Sequence, residues 1–396
     1  MRCSLRRTSR GHSGMAASVP GGAATTRPRG AAGRRCNGRN CQRKSGRPLR
    51  KSWRNWTPRR PRRRRRPAAP ADGFRNAAAM GYHPPVASAR REFMGRASVE
   101  FRFERPPNVY RYYPRAIFGR RESLVPAGVT VPRLEASAGA VEAAAAHLRR
   151  YREVCAFNDD GLLPPTYPHV LAMPLIVAIL TEPEFPVRLM GLIHVATVIE
   201  QVRPLPAGSQ YRLRSWVEGF RDADRGQEFD VWSELEDRDG IAWREKVVAL
   251  ARRPVSSAQA ARSARQTLRY EKPAAGTAVL SEPIEAPADV GWRFGLLSGD
   301  LNPIHIGDFT ARRFGFNSAV AHGMWSMARS LAALGTAIQA VPLQISVEFK
   351  LPLFLPGMAR LEHWPADGRR VFVLKDGEGQ RPHLAGELRP PIHNLP

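Results

Sequence analysis

The chain has 396 residues, with 62 Lys and Arg against 35 Asp and Glu and a formal charge of +27. That length allows two domains and a sizeable core. The charge sits at one end: residues 1–94 hold 25 of the basic residues and only Asp72 and Glu92 as acids, about +23, and the rest carries about +4, so the body lacks the general basic surface of a nucleic-acid-binding protein.

Residues 1–93 are rich in Arg, Gly, Pro, Ala and Ser, include Arg62 to Arg66 in a row, and show no hydrophobic periodicity. Such a stretch cannot bury enough apolar area to offset its backbone entropy, and disorder is expected. Three uses compete: binding nucleic acid or an anionic surface through bare charge, an organelle-targeting peptide, or a segment absent from the mature protein, with synthesis starting at Met80 or Met94. Its composition, that of arbitrary reading through GC-rich DNA, favours the third. No secretory apolar core follows the basic start. Cys3, Cys36 and Cys41 lie in this arm, Cys155 stands alone in the body, and no pair has zinc-site spacing. A lone body cysteine suits a reducing compartment, and the cytoplasm is expected.

From about Ala116 the pattern becomes globular. Gly139 to Arg152 reads as an alanine-rich helix, and His169 to Leu180 as a second, apolar one. The run from Leu171 to Leu180 is too short to span a membrane and contains Pro174. Strands are predicted at Leu192–Ile199, Tyr211–Val217, Glu228–Leu235 and Ala242–Leu250, with turns between them rich in Gly and Asp. One long apolar helix and a meander of antiparallel strands make an α+β plan in which the strands wrap the helix.

The plan then repeats. Residues 252–277 read as a polar linker, Ala321 to Ala337 as an apolar helix, and Leu343–Lys350, Met358–Trp364, Arg370–Leu374 and His383–Leu388 as strands. Local sequence repeats too. Tyr167-Pro168-His169 parallels Val320-Ala321-His322, and Arg203 to Gly208 parallels Leu351 to Gly357 with one residue inserted. The domains expected are an arm at 1–93, a first helix-wrapped unit at 116–251, a linker at 252–277 and a second unit at 278–396.

The chemistry-bearing stretch lies in the second unit: Ser298-Gly299-Asp300-Leu301-Asn302-Pro303-Ile304-His305, and further on Ala321-His322-Gly323-Met324. Pro303 pushes Asn302 out of the helical region, and the resulting bend can turn Asp300 and His305 toward one point. Two proton-transferring groups so placed could hold a water between them. The competing reading is an Asn-Pro turn with an ordinary buried histidine.

Position by position, this stretch resembles the signature of the MaoC-like hydratases and dehydratases, including the R-specific enoyl-CoA hydratases. The resemblance covers about residues 120 to 390, and it implies a double hot-dog fold: two tandem helix-wrapped antiparallel sheets joined through a continuous sheet. It also implies reversible hydration of trans-2-enoyl thioesters, or dehydration of (R)-3-hydroxyacyl thioesters. Asp300 and His305 would be catalytic, Asn302 would orient the substrate or Asp300, and the Gly323 N–H would help form an oxyanion hole at a helix start.

The first unit lacks the motif. Its counterpart, Cys155 to Pro165, offers Asn158, Asp159 and Asp160 without a histidine, so one site per chain is expected, with the first unit supplying the acyl cavity. His169, His194 and His322 are weighted toward structural roles. No metal or cofactor is expected; coenzyme A or acyl carrier protein would arrive as part of the substrate. Both carriers are anionic, and Arg312, Arg313 and Arg329 are candidates to meet them. A monomer or homodimer is expected, with no membrane and no nucleic-acid partner beyond non-specific contact through the arm. Two alternatives stay open: a 3-hydroxyacyl-carrier-protein dehydratase of fatty acid or polyketide synthesis, and a non-catalytic acyl-thioester binding protein.

Overall fold

A computed structural model describes residues 98–254 and 269–391. The basic arm and most of the expected linker lie outside the described residues. Folded structure begins ahead of Ala116: β1 (Ser98–Phe103) and the short helix α1 (Tyr113–Phe118) come first.

The first unit continues with β2 (Arg133–Glu142), α2 (Ala145–Cys155), α3 (Tyr167–Leu180), β3 (Leu192–Gln201), β4 (Gln210–Val217), β5 (Arg221–Ala223), β6 (Gly226–Asp237) and β7 (Gly240–Arg252). The second comprises β8 (Leu280–Ala286), α4 (Val290–Ser298), α5 (Pro303–Ile306), α6 (Asp308–Arg313), α7 (Gly323–Ala333), β9 (Leu343–Phe349), β10 (Gly357–Ala366), β11 (Arg369–Asp376) and β12 (Pro382–Arg389).

These strands form one sheet in the order β1-β2-β4-β6-β7-β3-β9-β12-β11-β10-β8, with β5 paired to β6. Only β1–β2 is parallel among the described pairs. With β1 and β5 left aside, each unit follows the same path: its first strand outermost, then its third, fourth and fifth, then its second at the centre. The two second strands, β3 and β9, pair antiparallel from Ala196 with Glu348 to Gln201 with Leu343. Two helix-wrapped sheets thus become one continuous sheet, as the resemblance implied.

The wrapped helices explain why the sheets curl. α3 is apolar on every face, so it must be surrounded. Pro168 suits its first turn, and the helix continues through Pro174 despite the lost amide donor. It packs on β2, β4 and β6, and α7 packs on β8 and β12. A single cluster of buried side chains runs from Leu134 in β2 through Leu175 and Trp325 to Leu388 in β12. The units also share polar contacts: Trp325 Nε1 donates to the Val154 carbonyl at 2.9 Å.

Two expectations are corrected. Gly139 to Glu142 belongs to β2, not to a helix. Of the alanines in the expected helix only Ala140 lies in the strand, and Ala145 and Ala146 do open a helix, α2; in β2, Leu134, Ala136 and Ala138 alternate inward and are buried. The parallel between His169 and His322 is also out of register. Leu162 bridges Pro206 as Val320 bridges Phe354, so Leu162 is the counterpart of Val320. His169 is therefore the third residue of α3, whereas His322 immediately precedes α7.

The shared core and continuous sheet predict one cooperative transition for residues 98–391. Urea unfolding followed by tryptophan fluorescence and by far-ultraviolet circular dichroism should give coincident curves; separated midpoints would show that the units unfold independently.

Candidate active site

α4 ends at Gly299, whose left-handed backbone (φ 77°) returns its N–H to the Gly295 carbonyl at 2.9 Å. The chain then bends as Pro303 requires: Asn302 has φ −57° and ψ 124°, outside the helical region. The Asn302 side-chain oxygen accepts from the Ile304 N–H and so caps α5. Its own N–H donates to Asp300 Oδ1 at 3.1 Å. Asn302 therefore shapes the bend and holds one oxygen of Asp300, leaving Oδ2 for other work.

His305 sits on α5 and is buried. Its Nδ1 lies 2.6 Å from the Val320 carbonyl oxygen. A carbonyl only accepts, so Nδ1 carries the hydrogen and Nε2 keeps a lone pair. His322 shows the opposite tautomer. Its Nε2 donates to the backbone carbonyl of Asp300 at 3.0 Å, and its buried Nδ1 has no partner. The two rings stack with centroids 3.7 Å apart. His322 Nε2 is also 3.9 Å from Asp300 Oδ2, and one ligand-type atom from each of Asp300, His305 and His322 lies within 4.8 Å of the others. The bend thus brings Asp300 and His305 together, as the sequence suggested, and adds His322 to the same cluster.

The charge states follow from burial and partners. Burial pushes the His305 pKa below its ordinary value, and Asp300 and the Val320 carbonyl only partly offset that. His322 is driven down to about 3 by burial and by the adjacent His305. Burial raises the Asp300 pKa, but the imidazoles of His322 and His305 and the Asn302 N–H more than offset it, so the carboxyl lies below the ordinary value. Near neutral pH the site is an ionised carboxylate beside two neutral imidazoles. The same three side chains could be read as a metal cluster. Each keeps a lone pair, His322 through its unpartnered Nδ1, since only its Nε2 hydrogen is committed to a carbonyl.

Gly323 is the first residue of α7, at the helix end where amides are unpaired. A Cβ on it would lie 2.9 Å from the Phe349 ring. Phe349 in turn meets His194 edge-on at 4.7 Å between centroids. One wall of the site therefore comes from β9 and β3 together. His169 is held by Glu245 of β7, Nδ1 to Oε2 at 2.7 Å, and Glu245 also accepts from Thr197 Oγ1 at 3.0 Å. In the first unit, Asp159 and Asp160 face Arg152 at 2.7 and 3.9 Å and serve a turn there. Arg312 lies near Asp308 at 3.6 Å, and Arg313 covers the Phe309 ring. Arg329 is half-buried near Cys155.

Three contributors escaped sequence reasoning. Glu245 is an unremarked acid in a strand, fully buried. The Tyr110–Tyr113 segment lies over the Gly299 turn, though the sequence placed the globular boundary just after it; its cluster of tyrosines was the available signal. Gly291 lets α4 and α5 touch, since a Cβ there would fall 2.0 Å from the His305 carbonyl oxygen. Gly291 and Gly295 stand four apart on one helix face, a costly choice inside a helix unless something packs close.

The chain resembles known proteins in sequence and in fold. Residues 259–386 match the family described as MaoC like domain. Over 245 residues, 62% of the chain, the sequence is 29% identical to 3-hydroxyacyl-thioester dehydratase X of Mycobacterium tuberculosis, 85% of which is covered. The crystal structure of HtdX from the same organism superposes with a TM-score of 0.54 at 26% identity, covering 64% of this chain and 99% of that one. A MaoC-like dehydratase from Phytophthora capsici shares the fold, with a TM-score of 0.53 at 19% identity over 65% of this chain and 95% of its own. Among the described residues, no helix is long and apolar enough to cross a membrane.

Gly291→Ala tests the close approach that seats His305. Denaturant unfolding should show a loss of about 1–3 kcal/mol, the usual range for overpacking a tight contact; an unchanged midpoint would mean that α4 and α5 can part freely.

Proposed function

We propose that this chain, whose residues 259–386 are a MaoC-like domain, adds water to trans-2-enoyl thioesters and removes it from (R)-3-hydroxyacyl thioesters. The observation that carries the reading is the tautomer of His305. With Nδ1–H spent on Val320, its Nε2 keeps a lone pair, and a ring nitrogen of His305 lies within 4.8 Å of a carboxylate oxygen of Asp300.

In the hydration direction a water bridges Asp300 Oδ2 and His305 Nε2. His305 takes a proton from it as the oxygen attacks C3, and electron density moves through C2 onto the thioester oxygen. The unpaired Gly323 N–H at the start of α7 meets that oxygen, aided by the helix dipole. A proton returned to C2 completes the addition, and the reverse sequence eliminates water. Asn302 acts through Asp300 by holding Oδ1. The chemistry calls for no metal or cofactor of the protein's own, and the thioester carrier, coenzyme A or acyl carrier protein, comes with the substrate. The dehydratase names of relatives support the same reading. A purely acyl-binding protein would have no use for a lone-pair imidazole beside a carboxylate.

Loss of absorbance of crotonyl-CoA and of a longer trans-2-enoyl-CoA tests this. Asp300→Ala and His305→Ala should each lower kcat roughly 10²- to 10⁴-fold. Activity surviving both changes would sink the assignment; a folded wild type inactive on coenzyme A esters but active on carrier-protein esters would move the substrate class.

The pH profile gives a second test. The mechanism needs neutral His305, whose pKa is depressed below 6.5. Protonation, and with it loss of kcat/KM, should therefore begin only below that value. An acid limb above it would contradict the state assigned to His305.

A further inference from the structure

We propose that Tyr113, which lies outside both helix-wrapped sheets, is a positioning residue for Asp300. Its single hydroxyl ties the peptide groups on the two sides of that residue. The inference rests on the dehydratase reading for what Asp300 does, and on geometry for how it is held.

The Tyr113 hydroxyl donates to the Gly299 carbonyl at 2.6 Å and accepts from the Leu301 N–H at 2.7 Å. These are the residues immediately before and after Asp300. Other bonds fix the remaining backbone atoms of Asp300: its N–H meets Ser298 Oγ at 3.2 Å, and its carbonyl accepts from His322. With Asn302 on Oδ1, the free oxygen of the carboxylate inherits its direction from a fully held backbone. Tyr113 supplies two of these bonds from a single atom, the one to Gly299 buried and the one from Leu301 partly so.

Packing shows that the hydroxyl is brought there by design of the segment. Val109, Tyr113 and Val177 form a small separate core, with Met173, Leu189 and Leu301 packed against it. That core pins the segment to α3 of the first unit and to the turn at once. Val109 lies so close to Gly299 that a Cβ there would come within 3.0 Å of its methyl carbon. Tyr113 responds to the site electrostatically as well: burial, and then the Asp300 charge, raise its pKa far above the ordinary phenol value, so the hydroxyl stays protonated and able to donate.

Tyr113→Phe keeps the ring and removes only the clamp. The full chain should be compared with this variant and with Tyr112→Phe, a neighbouring tyrosine whose hydroxyl does not hold the turn. Hydrogen exchange read by mass spectrometry should speed up roughly tenfold or more in the peptide spanning Gly299–Leu301 and stay unchanged in β11, which reports on folding. With crotonyl-CoA, kcat should fall about 10- to 100-fold with KM within about threefold, because misplacement of a reacting group costs rate more than binding. Tyr112→Phe should do neither. Unchanged exchange in Tyr113→Phe would overturn the clamp whatever the activity, and faster exchange with an unaltered kcat would overturn its role in positioning. A wild type that turns over no enoyl thioester would sink the dehydratase reading, and the kinetic claim with it, while the exchange experiment still decides whether the clamp exists.

Discussion

The pairing of β3 with β9 is the constraint on which the rest of the structure depends. Each unit alone would end in an open strand with a row of unsatisfied backbone groups, an aggregation-prone edge. Joining the two edges removes both at once. It also places the first unit's helices against the second unit's site: α2 packs on α4 and α7, and α3 packs on α4. Phe349 of β9, the residue just beyond the seam, touches the Gly323 position on one side and His194 of β3 on the other. The free edge at the far end, β8, is mostly exposed and carries Pro283 and two glutamates, features that discourage further pairing.

The same repeat explains why only one unit carries the chemistry. In the first unit α2 ends at left-handed Ala156, and five residues later the chain reaches Gly161, whose carbonyl accepts from Ala207. In the second, α4 ends at left-handed Gly299, and twenty residues pass before Ala319 makes the matching bond to Leu355. The additional residues are the Asp300 bend, α5 and α6. They form a flap on an otherwise conserved plan, and a flap has no strand neighbours to hold it. Its rigidity must come from local bonds: the Asn302 cap, the Val320 carbonyl on His305, and the His322 and Tyr113 contacts.

What the sequence made legible follows from how strongly each element is over-determined. Eight of the strands stand within a few residues of their predicted bounds, since alternating burial leaves a period-two trace, as in β4. The Asn-Pro bend was readable because Pro303 restricts its predecessor by sterics alone. Elements with conflicting local preference were not legible. The alanines of β2 favour a helix, yet the strand forms and buries Ala136 and Ala138 while Ala140 stays exposed. β8 contains Pro283 and only two fully inward residues, Ile284 and Ala286, too few to show a period. The His169 parallel failed because a shared residue type is weaker than a shared hydrogen bond. The closeness of His322 to the cluster was unreadable for a related reason: it depends on the Asp300 carbonyl, which no sequence pattern records.

Electrostatics ties the two units together beyond packing. Glu245 is wholly buried, and an isolated carboxylate there would be prohibitively costly. It is tolerated because His169 and Thr197 satisfy both oxygens. Burial opposes a charge on His169, but the attraction of Glu245 outweighs it and its pKa is raised. His194, stacked on His169 at 6.1 Å, is pushed down to about 4 by burial and by that neighbour, and stays neutral. The first unit therefore presents a self-compensated ion pair whose positive end is felt at Asp300 and helps keep its carboxyl ionised. This unit lacks the motif but still bears on the site: His169 adds to the stronger effects of His322, His305 and the Asn302 N–H that lower the Asp300 pKa.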